Sequence, residues 1–341
     1  MSELAIAVSG LRKSYRGKDG EKVVLEGIDL AVPQGTIFSL LGPNGAGKTT
    51  TVQILSTLIA PDAGTVQVAG HDLHRAPDEV RGAIGVTGQY SAVDKLLTGE
   101  ENLLLMADLK HLPRRDGRRK AAELLERFDL VEAAGKPAGT YSGGMQRRLD
   151  LAMTLVGDPE VIFLDEPTTG LDPRSRRAMW QIVQDLVAGG VTIFLTTQYL
   201  EEADRLADHI AVLDHGHLIA EGTPDQLKRL IPGGHVSLRF TDDHTLDTAR
   251  AALGRGFIDP ADDDRLTLNI PSDGGVASLR DLLTDLHTAG VQPADLAVHT
   301  PDLDDVFLTL TGSPNTHTQP HNDQPQQDDD QQQDQDKETV R

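Results

Sequence analysis

Three features of the 341-residue sequence predict an α/β fold, with a parallel sheet covered on both faces by helices. Residues 36–41 are an apolar run of strand length that ends in a glycine-rich turn, and helical character follows over 49–58. Residues 161–164 and 191–196 are two more apolar runs with no alternation, and a helical pattern over 173–188 separates them. Unalternating strands joined by helices belong to sheets buried on both faces.

The remaining elements can be read in chain order. Residues 4–8 and 23–32 are short β-rich runs with turn residues between them, and 66–70 is a brief strand closing on Gly70. Residues 99–135 are mostly helical, most clearly in the amphipathic stretch 121–128. A helix is expected over 142–156. Near residue 230 the character changes, with a hinge at 232–234. Strands are expected at 236–240, 265–270 and 294–299, and helices at 245–253, 276–289 and 303–310. The expected organisation is an α/β domain over 1–230, a small α+β domain over 231–312 on a ferredoxin-like plan, and a tail over 313–341. The tail is mostly Gln, Asp, Pro, Asn and His. It lacks the apolar surface needed to offset ordering entropy, so it reads as a disordered, solubilising extension.

Composition narrows the function classes. Without cysteine there is no disulfide framework, thiolate metal site or Cys nucleophile. No run approaches the ~20 apolar residues of a spanning helix. The first eight residues carry Glu3 and no basic segment, so no secretory signal is expected and the chain is placed in the cytoplasm. If it works at a membrane, another chain must hold it there. The net charge of −21 opposes non-specific nucleic-acid binding. Residues 1–230 contribute only −7, with 25 basic against 32 acidic groups, which suits a domain that handles a polyanionic nucleotide.

Gly42-Pro43-Asn44-Gly45-Ala46-Gly47-Lys48-Thr49 matches G-x-x-x-x-G-K-[ST] and lies between a strand and a helix. Glycines let the backbone curl so that successive N–H groups face phosphate oxygens, and the helix adds its positive end. Lys48 can reach the β- and γ-phosphates, the Thr49 hydroxyl can ligate Mg²⁺, and Thr50 continues the phosphate-binding turn. The run 161–164 ends in Asp165 and Glu166. At the C-terminal end of a strand Asp165 can hold Mg²⁺, and Glu166 can polarise an attacking water as general base. This loop alone is shared by kinases, GTPases and motors.

Tyr141-Ser142-Gly143-Gly144-Met145-Gln146-Arg147-Arg148 opens the next helix. Ser142 is a good N-cap, and Gly143 and Gly144 leave N–H groups open at a positive helix end. Here the chain resembles the ABC transporter ATP-binding proteins, whose signature is close to Leu-Ser-Gly-Gly-Gln. Tyr141 replaces the Leu, and Met145 stands at the Gln position. The order of further motifs fits that family. Gln89 lies where the Q-loop glutamine falls, on the metal side of the site. Leu171-Asp172-Pro173 matches the D-loop, and Tyr15 lies where an aromatic stacks on adenine. The resemblance covers roughly residues 4–230. It implies a P-loop ABC ATPase domain with a mixed sheet and a helical subdomain, using ATP and Mg²⁺. Two such domains pair head-to-tail, with ATP between the P-loop of one and the signature of the other. One chain carries half of each site, so the expected partners are a second nucleotide-binding subunit, as in a homodimer, and a separate transmembrane permease.

After residues 191–196 the family places a His on the γ-phosphate, but this sequence has Gln198. Its amide can donate a hydrogen bond but cannot become a cation or shuttle a proton. None of the twelve histidines is expected to be catalytic; His209, His215 and His217 read as surface or strand residues. Residues 198–204 and 301–312 resemble the daunorubicin/doxorubicin resistance branch. That branch implies an exporter of a drug-like or hydrophobic compound, peripheral on the cytoplasmic face of the membrane. The 301–312 segment is expected to pack the C-terminal domain on its own or a partner's ATPase domain. A soluble non-transport ABC ATPase is the competing reading; such chains usually hold two cassettes or a long coiled-coil insertion, which this sequence lacks. A regulatory nucleotide sensor would follow if Gln198 marks a degenerate site.

Overall fold

The computed structural model describes residues 3–17, 20–88, 91–230, 234–254, 257, 266–272, 275–299 and 301–311. Two long antiparallel strands, β1 (Leu4–Gly17) and β2 (Gly20–Pro33), come first. β3 (Ile37–Leu41) and helix α1 (Lys48–Leu55) follow. β4 (Ala63–Val68) and β5 (His71–Asp72) complete a four-stranded antiparallel sheet of order β2-β1-β4-β5. Helix α2 (Pro77–Ala83) leads into β6 (Ile84–Thr87). Three helices, α3 (Gly99–Leu109), α4 (Arg114–Arg127) and α5 (Gly143–Thr154), form a helical layer before β7 (Val161–Asp165). Then come α6 (Pro173–Ala188), β8 (Thr192–Thr197), α7 (Leu200–Leu206), β9 (His209–Asp214), β10 (His217–Gly222) and α8 (Pro224–Lys228).

The second sheet has the order β10-β9-β3-β8-β7-β6, with β10 antiparallel to β9 and the other pairs parallel. Every residue of β3, β7 and β8 is buried, as their unalternating sequences predict. Period-two geometry divides these residues between two cores. Ile37, Ile162, Leu164, Ile193 and Leu195 pack with the helical layer. Phe38, Leu40, Phe163 and Phe194 pack with α1 and the antiparallel sheet. Phe38 stacks on Phe194 with ring centroids 5.6 Å apart. Fully burying each such side chain contributes about 1.5–3 kcal/mol, and together they fix the ends of β3 and β7 on either side of β8.

The later elements are β11 (His235–Arg239), α9 (Asp243–Leu253), β12 (Thr267–Pro271), α10 (Val276–Thr288), β13 (Asp295–His299) and α11 (Leu303–Thr311). β11 lies between β12 and β13 and is antiparallel to both, and Val236, Leu238, Leu246, Leu282 and Leu286 share a separate core. The ferredoxin-like plan is corrected here. Among the described residues this sheet has three strands and each is followed by a helix, whereas that plan runs β-α-β-β-α-β and joins two of its four strands directly.

Strand β1 also runs far beyond the expected 4–8, and β2 extends the expected 23–32 at both ends. Register shifts at Val8/Leu11 and Lys13/Ser14 interrupt the alternation that would have revealed them. Residues 232 and 233 of the expected hinge and all of 313–341 lie outside the described residues. No described helix is long and apolar enough to cross a membrane.

Candidate functional site

The P-loop fills the turn between β3 and α1, and its glycines are steric necessities. A Cβ on Gly42 would lie 2.2 Å from the Leu213 carbonyl oxygen, and one on Gly47 would lie 2.6 Å from Leu25 Cδ2. Gly47 has a φ of 115°, and Gly45 has a φ of 83°; side-chain-bearing residues disfavour both. Gly47 is also the N-cap of α1 and offers no side chain to the helix amides. Those N–H groups face the loop at the positive end of the helix dipole.

Lys48 has its side chain only 5% exposed and its Nζ 3.9 Å from Glu166 Oε1. The same Nζ donates to the carbonyl oxygens of Gly42 (2.8 Å) and Pro43 (3.1 Å). Burial pushes its pKa below the ordinary value, and the Glu166 and Asp165 carboxylates oppose that shift. β7 ends at Asp165. Its Oδ1 accepts from Thr49 Oγ1 at 3.4 Å and from Thr196 Oγ1 on β8. Glu166, 11% exposed, takes a left-handed φ of 48°. Its N–H donates to the Thr196 carbonyl at 3.1 Å, and its Oε2 accepts from Thr169 Oγ1 at 3.2 Å.

Lys48, Thr49 and Glu166 border a cavity of about 280 Å³ whose lining is completed by Lys22, Val24, Asn44, Gly45, Gly47 and Thr50. Thus Gly45, Gly47, Lys48, Thr49, Thr50 and Glu166 from the sequence reading meet at one place. Tyr15 is 43% exposed on β1, directly across from Lys22, so their side chains share a face of the strand pair. Lys13 Nζ lies 5.6 Å from the Tyr15 ring centroid. Gln198 is half-buried just past Thr197, the register partner of Leu41, so Gln198 and Gly42 leave adjacent strand ends together.

The signature lies on another element. Ser142 caps α5 by accepting from the Met145 N–H at 3.3 Å. Tyr141 is buried and donates its hydroxyl to the Ala133 carbonyl at 2.6 Å; an apolar Leu would leave that acceptor without this bond. Gly143 has no neighbour within 4 Å of where a Cβ would sit, whereas a Cβ on Gly144 would lie 2.5 Å from Ser175 Oγ. Asp172 caps α6, accepting from the N–H groups of Arg174 and Ser175 at 3.0 Å each and from Ser175 Oγ at 2.6 Å. The Ser175 bonds lead in holding its carboxyl below the ordinary range. Gln89 lies outside the described residues.

Sequence reasoning missed Lys22, Thr196 and Arg147. Only the register places Lys22 at the cavity. Thr196 carries no motif, and Arg147 reads as an ordinary helix residue.

The donor set fits Mg²⁺. No described group of three or more His, Cys, Asp or Glu residues could hold a metal unaided. One carboxylate, Asp165, beside one hydroxyl, Thr49, is what Mg²⁺ uses when substrate phosphates complete its shell.

Together the loop, the buried lysine and the paired carboxylates define a P-loop nucleotide-binding domain. Residues 25–169 match the family model described as ABC transporter. The chain is 49% identical over 312 residues to the daunorubicin resistance ATP-binding protein DrrA3 of Streptomyces coeruleorubidus, covering 92% of this chain and 97% of that protein. It is 47% identical over 319 residues to the doxorubicin resistance ATP-binding protein DrrA of Mycobacterium tuberculosis, covering 92% and 95%. It is also 39% identical over 309 residues to the Nod factor export ATP-binding protein I of Ralstonia nicotianae, covering 90% and 94%. Among solved structures, the ATP-binding subunit of an ABC transporter superposes with a TM-score of 0.59 at 29% identity, covering 67% of this chain and 93% of that one. A dimeric post-hydrolysis ATP-binding cassette bound to ADP and Pi gives 0.59 at 26%, covering 64% and 98%. The chain belongs to the ABC transporter family, as an ATP-binding subunit with ATPase activity.

Proposed function

We propose that the chain powers an exporter, hydrolysing ATP to drive a drug-like or hydrophobic compound through a separate permease. The observation that carries this reading is the meeting of Lys48, Glu166 and Thr49 at the P-loop cavity, with Asp165 bonded to Thr49. Similarity along nearly the full length of drug-resistance ATP-binding proteins supports the export direction.

In this reading the P-loop amides and Lys48 hold the β- and γ-phosphates, and Tyr15 stacks on the adenine. Thr49 and Asp165 hold Mg²⁺, with Gln89 on the same side. The metal neutralises phosphate charge when bound. Glu166 accepts a proton from the attacking water as its oxygen bonds to the γ-phosphorus, and the bridging oxygen leaves with ADP. Gln198 donates its amide to the γ-phosphate. Ser142, Gly143, Gly144 and Asp172 act in the site of a second copy, so the working unit is a homodimer docked on the permease at the cytoplasmic face of the membrane. The net charge of −21 disfavours a nucleic-acid partner.

The test measures Mg²⁺-dependent ATP hydrolysis and ATP-driven dimerisation of wild type and Glu166→Gln, alone and with a copurified permease. Hydrolysis by wild type, a stable ATP-bound dimer of Glu166→Gln and stimulation by the permease are expected. A wild type that binds ATP yet neither hydrolyses nor dimerises with the permease present would favour a regulatory nucleotide sensor, for which Gln198 is the motivating residue.

A further inference from the structure

Five residues beyond Ser142, α5 carries an arginine that faces the protein interior. The Arg147 side chain is 12% exposed. Its Nε donates to the Pro167 carbonyl at 2.9 Å, and its Nη2 donates to the Asp165 carbonyl at 3.2 Å. Its Nη1 donates to the Gly88 carbonyl at 2.9 Å and to Asp150 Oδ2 at 3.2 Å. Asp150, 3% exposed, also accepts from the Ala92 N–H at 3.0 Å. A buried guanidinium needs such pairing to offset its desolvation. The pair therefore joins α5, both flanks of Glu166, and the chain at residues 88 and 92.

The two carbonyls gripped by one edge of the guanidinium belong to the residues on either side of Glu166. Glu166 itself has a φ of 48°, a region that a Cβ disfavours. Such a conformation persists where its surroundings over-determine it. Here Thr196 accepts the Glu166 N–H from one side, and Arg147 holds the Asp165 and Pro167 carbonyls from the other. Only arginine offers a planar fork that spans two carbonyls; lysine brings one point charge.

We propose that Arg147 is a positioning residue for hydrolysis: it fixes the left-handed backbone of Glu166 and so aims its carboxylate at the attacking water. The proposal rests on the reading of Glu166 as general base. Because the brace stands on the helix that Ser142 caps, any displacement of α5 is passed to the base of the same chain. An ordinary buried arginine would tie helix to sheet without this focus. Arg148, the next residue of α5, supplies a comparison: it donates to the Phe128 and Asp129 carbonyls at the C-terminal end of α4, away from Glu166.

The experiment uses the full chain with its permease and measures kcat and KM for MgATP. It compares wild type, Arg147→Ala, Arg147→Lys, Arg148→Ala, Glu166→Gln and the double variant Arg147→Ala/Glu166→Gln. The expected result for Arg147→Ala is a kcat loss of about tenfold or more at nearly unchanged KM, since small misplacement of a catalytic group is costly. Arg147→Lys should also lose kcat, and it serves if the alanine variant does not fold. Arg148→Ala should stay within about twofold of wild type. In the Glu166→Gln background, removing Arg147 should change the residual single-turnover rate by less than about twofold, because the two residues act as a unit. Equal losses in both backgrounds, a loss appearing only in KM, or full activity of Arg147→Lys would overturn the proposal. If Glu166→Gln itself hydrolyses ATP like wild type, it is the base assignment that fails.

Discussion

Lys48 Nζ lies 3.9 Å from Glu166 Oε1 while donating to the carbonyls of Gly42 and Pro43. The cation proposed to hold phosphate and the carboxylate proposed to polarise water thus share one corner of the cavity, so their removal should have separable effects. Lys48→Ala removes charge-assisted bonds worth roughly 1.5–3 kcal/mol, and ATP affinity should fall about tenfold to a hundredfold. Glu166→Gln should keep ATP affinity and lose about 10²–10⁴-fold in turnover. Titration with a fluorescent ATP analogue, alongside phosphate release, checks both. Equal affinity in Lys48→Ala would remove the lysine from phosphate binding.

The two signature glycines make a sharper pair. A Cβ at Gly143 meets nothing within the chain, whereas one at Gly144 presses on Ser175, which helps Asp172 cap α6. Gly143→Ala should therefore melt within about 2 °C of wild type, while ATP-driven dimerisation in the Glu166→Gln background is lost. Gly144→Ala should disturb a cap typically worth about 1 kcal/mol and lower the melting temperature by about 2–4 °C. Calorimetry and light scattering separate the two. A Gly143→Ala protein that still dimerises would show that this helix end does not face a partner's nucleotide.

Gln198 stands at the strand end beside Gly42, and its amide does not ionise. Gln198→Ala should lose about two- to tenfold in turnover or affinity, the worth of one ordinary hydrogen bond. Gln198→His should add a pH step near about 6.5 that wild type lacks. A pH–rate profile of the three proteins gives the answer, and unchanged kinetics in Gln198→Ala would place Gln198 away from the phosphate.

Much of this site was legible because its residues are consecutive. The P-loop needs only a strand, a turn and a helix in order, and unalternating β3, β7 and β8 declare themselves as buried. What escaped depends on pairing over distance. Lys22 reaches the cavity because β1 bulges and still returns Tyr15 to a position opposite it. The sequence marks only single histidines of β9 and β10 as strand candidates and bounds neither strand, and the three-stranded order of the last sheet is set by contacts that no local period encodes. Arg147 looks like a solvated helix charge beside Arg148, and only the position of Glu166 across the sheet end distinguishes them.

Asp62 pins β1 near the start of β4. It accepts from Lys13 Nζ at 2.8 Å, the Ser14 N–H at 2.6 Å and Ser14 Oγ at 3.0 Å. The Lys13 bond leads in lowering its pKa from 3.8 to about 2. A carboxyl depressed on folding contributes stability that is present above 3.8 and lost as pH falls through about 2. Asp62→Asn should therefore melt slightly below wild type at neutral pH. The gap should close between about pH 4 and pH 2. Melting curves across that range test it, and a gap that persists at the acid end would mean the contribution is not carried by the charge.

Helix α11 buries Leu303, Val306 and Phe307, with Leu310 partly covered, at i, i+3, i+4 and i+7. They pack against Leu41, Leu200, Ile210, Val212 and Leu227, so the last described helix of the chain sits on the sheet that carries the P-loop. Phe307 and Thr311 also line a cavity of about 460 Å³ with Pro43, Asn44, Gly45 and His215. Truncating a buried phenylalanine costs about 3–5 kcal/mol, and an unpaired carboxylate in its place costs more. Phe307→Asp should release α11, expose 301–311 to protease well before the remaining elements, and weaken ATP binding through the loosened P-loop wall. Leu308→Asp, at an exposed position on the same helix, should leave both unchanged. If Phe307→Asp resists protease like wild type, the packing of α11 on this sheet does not hold the helix in solution. If protease frees the helix while ATP affinity stays constant, α11 is an attachment point for the C-terminal sheet with no bearing on the nucleotide site.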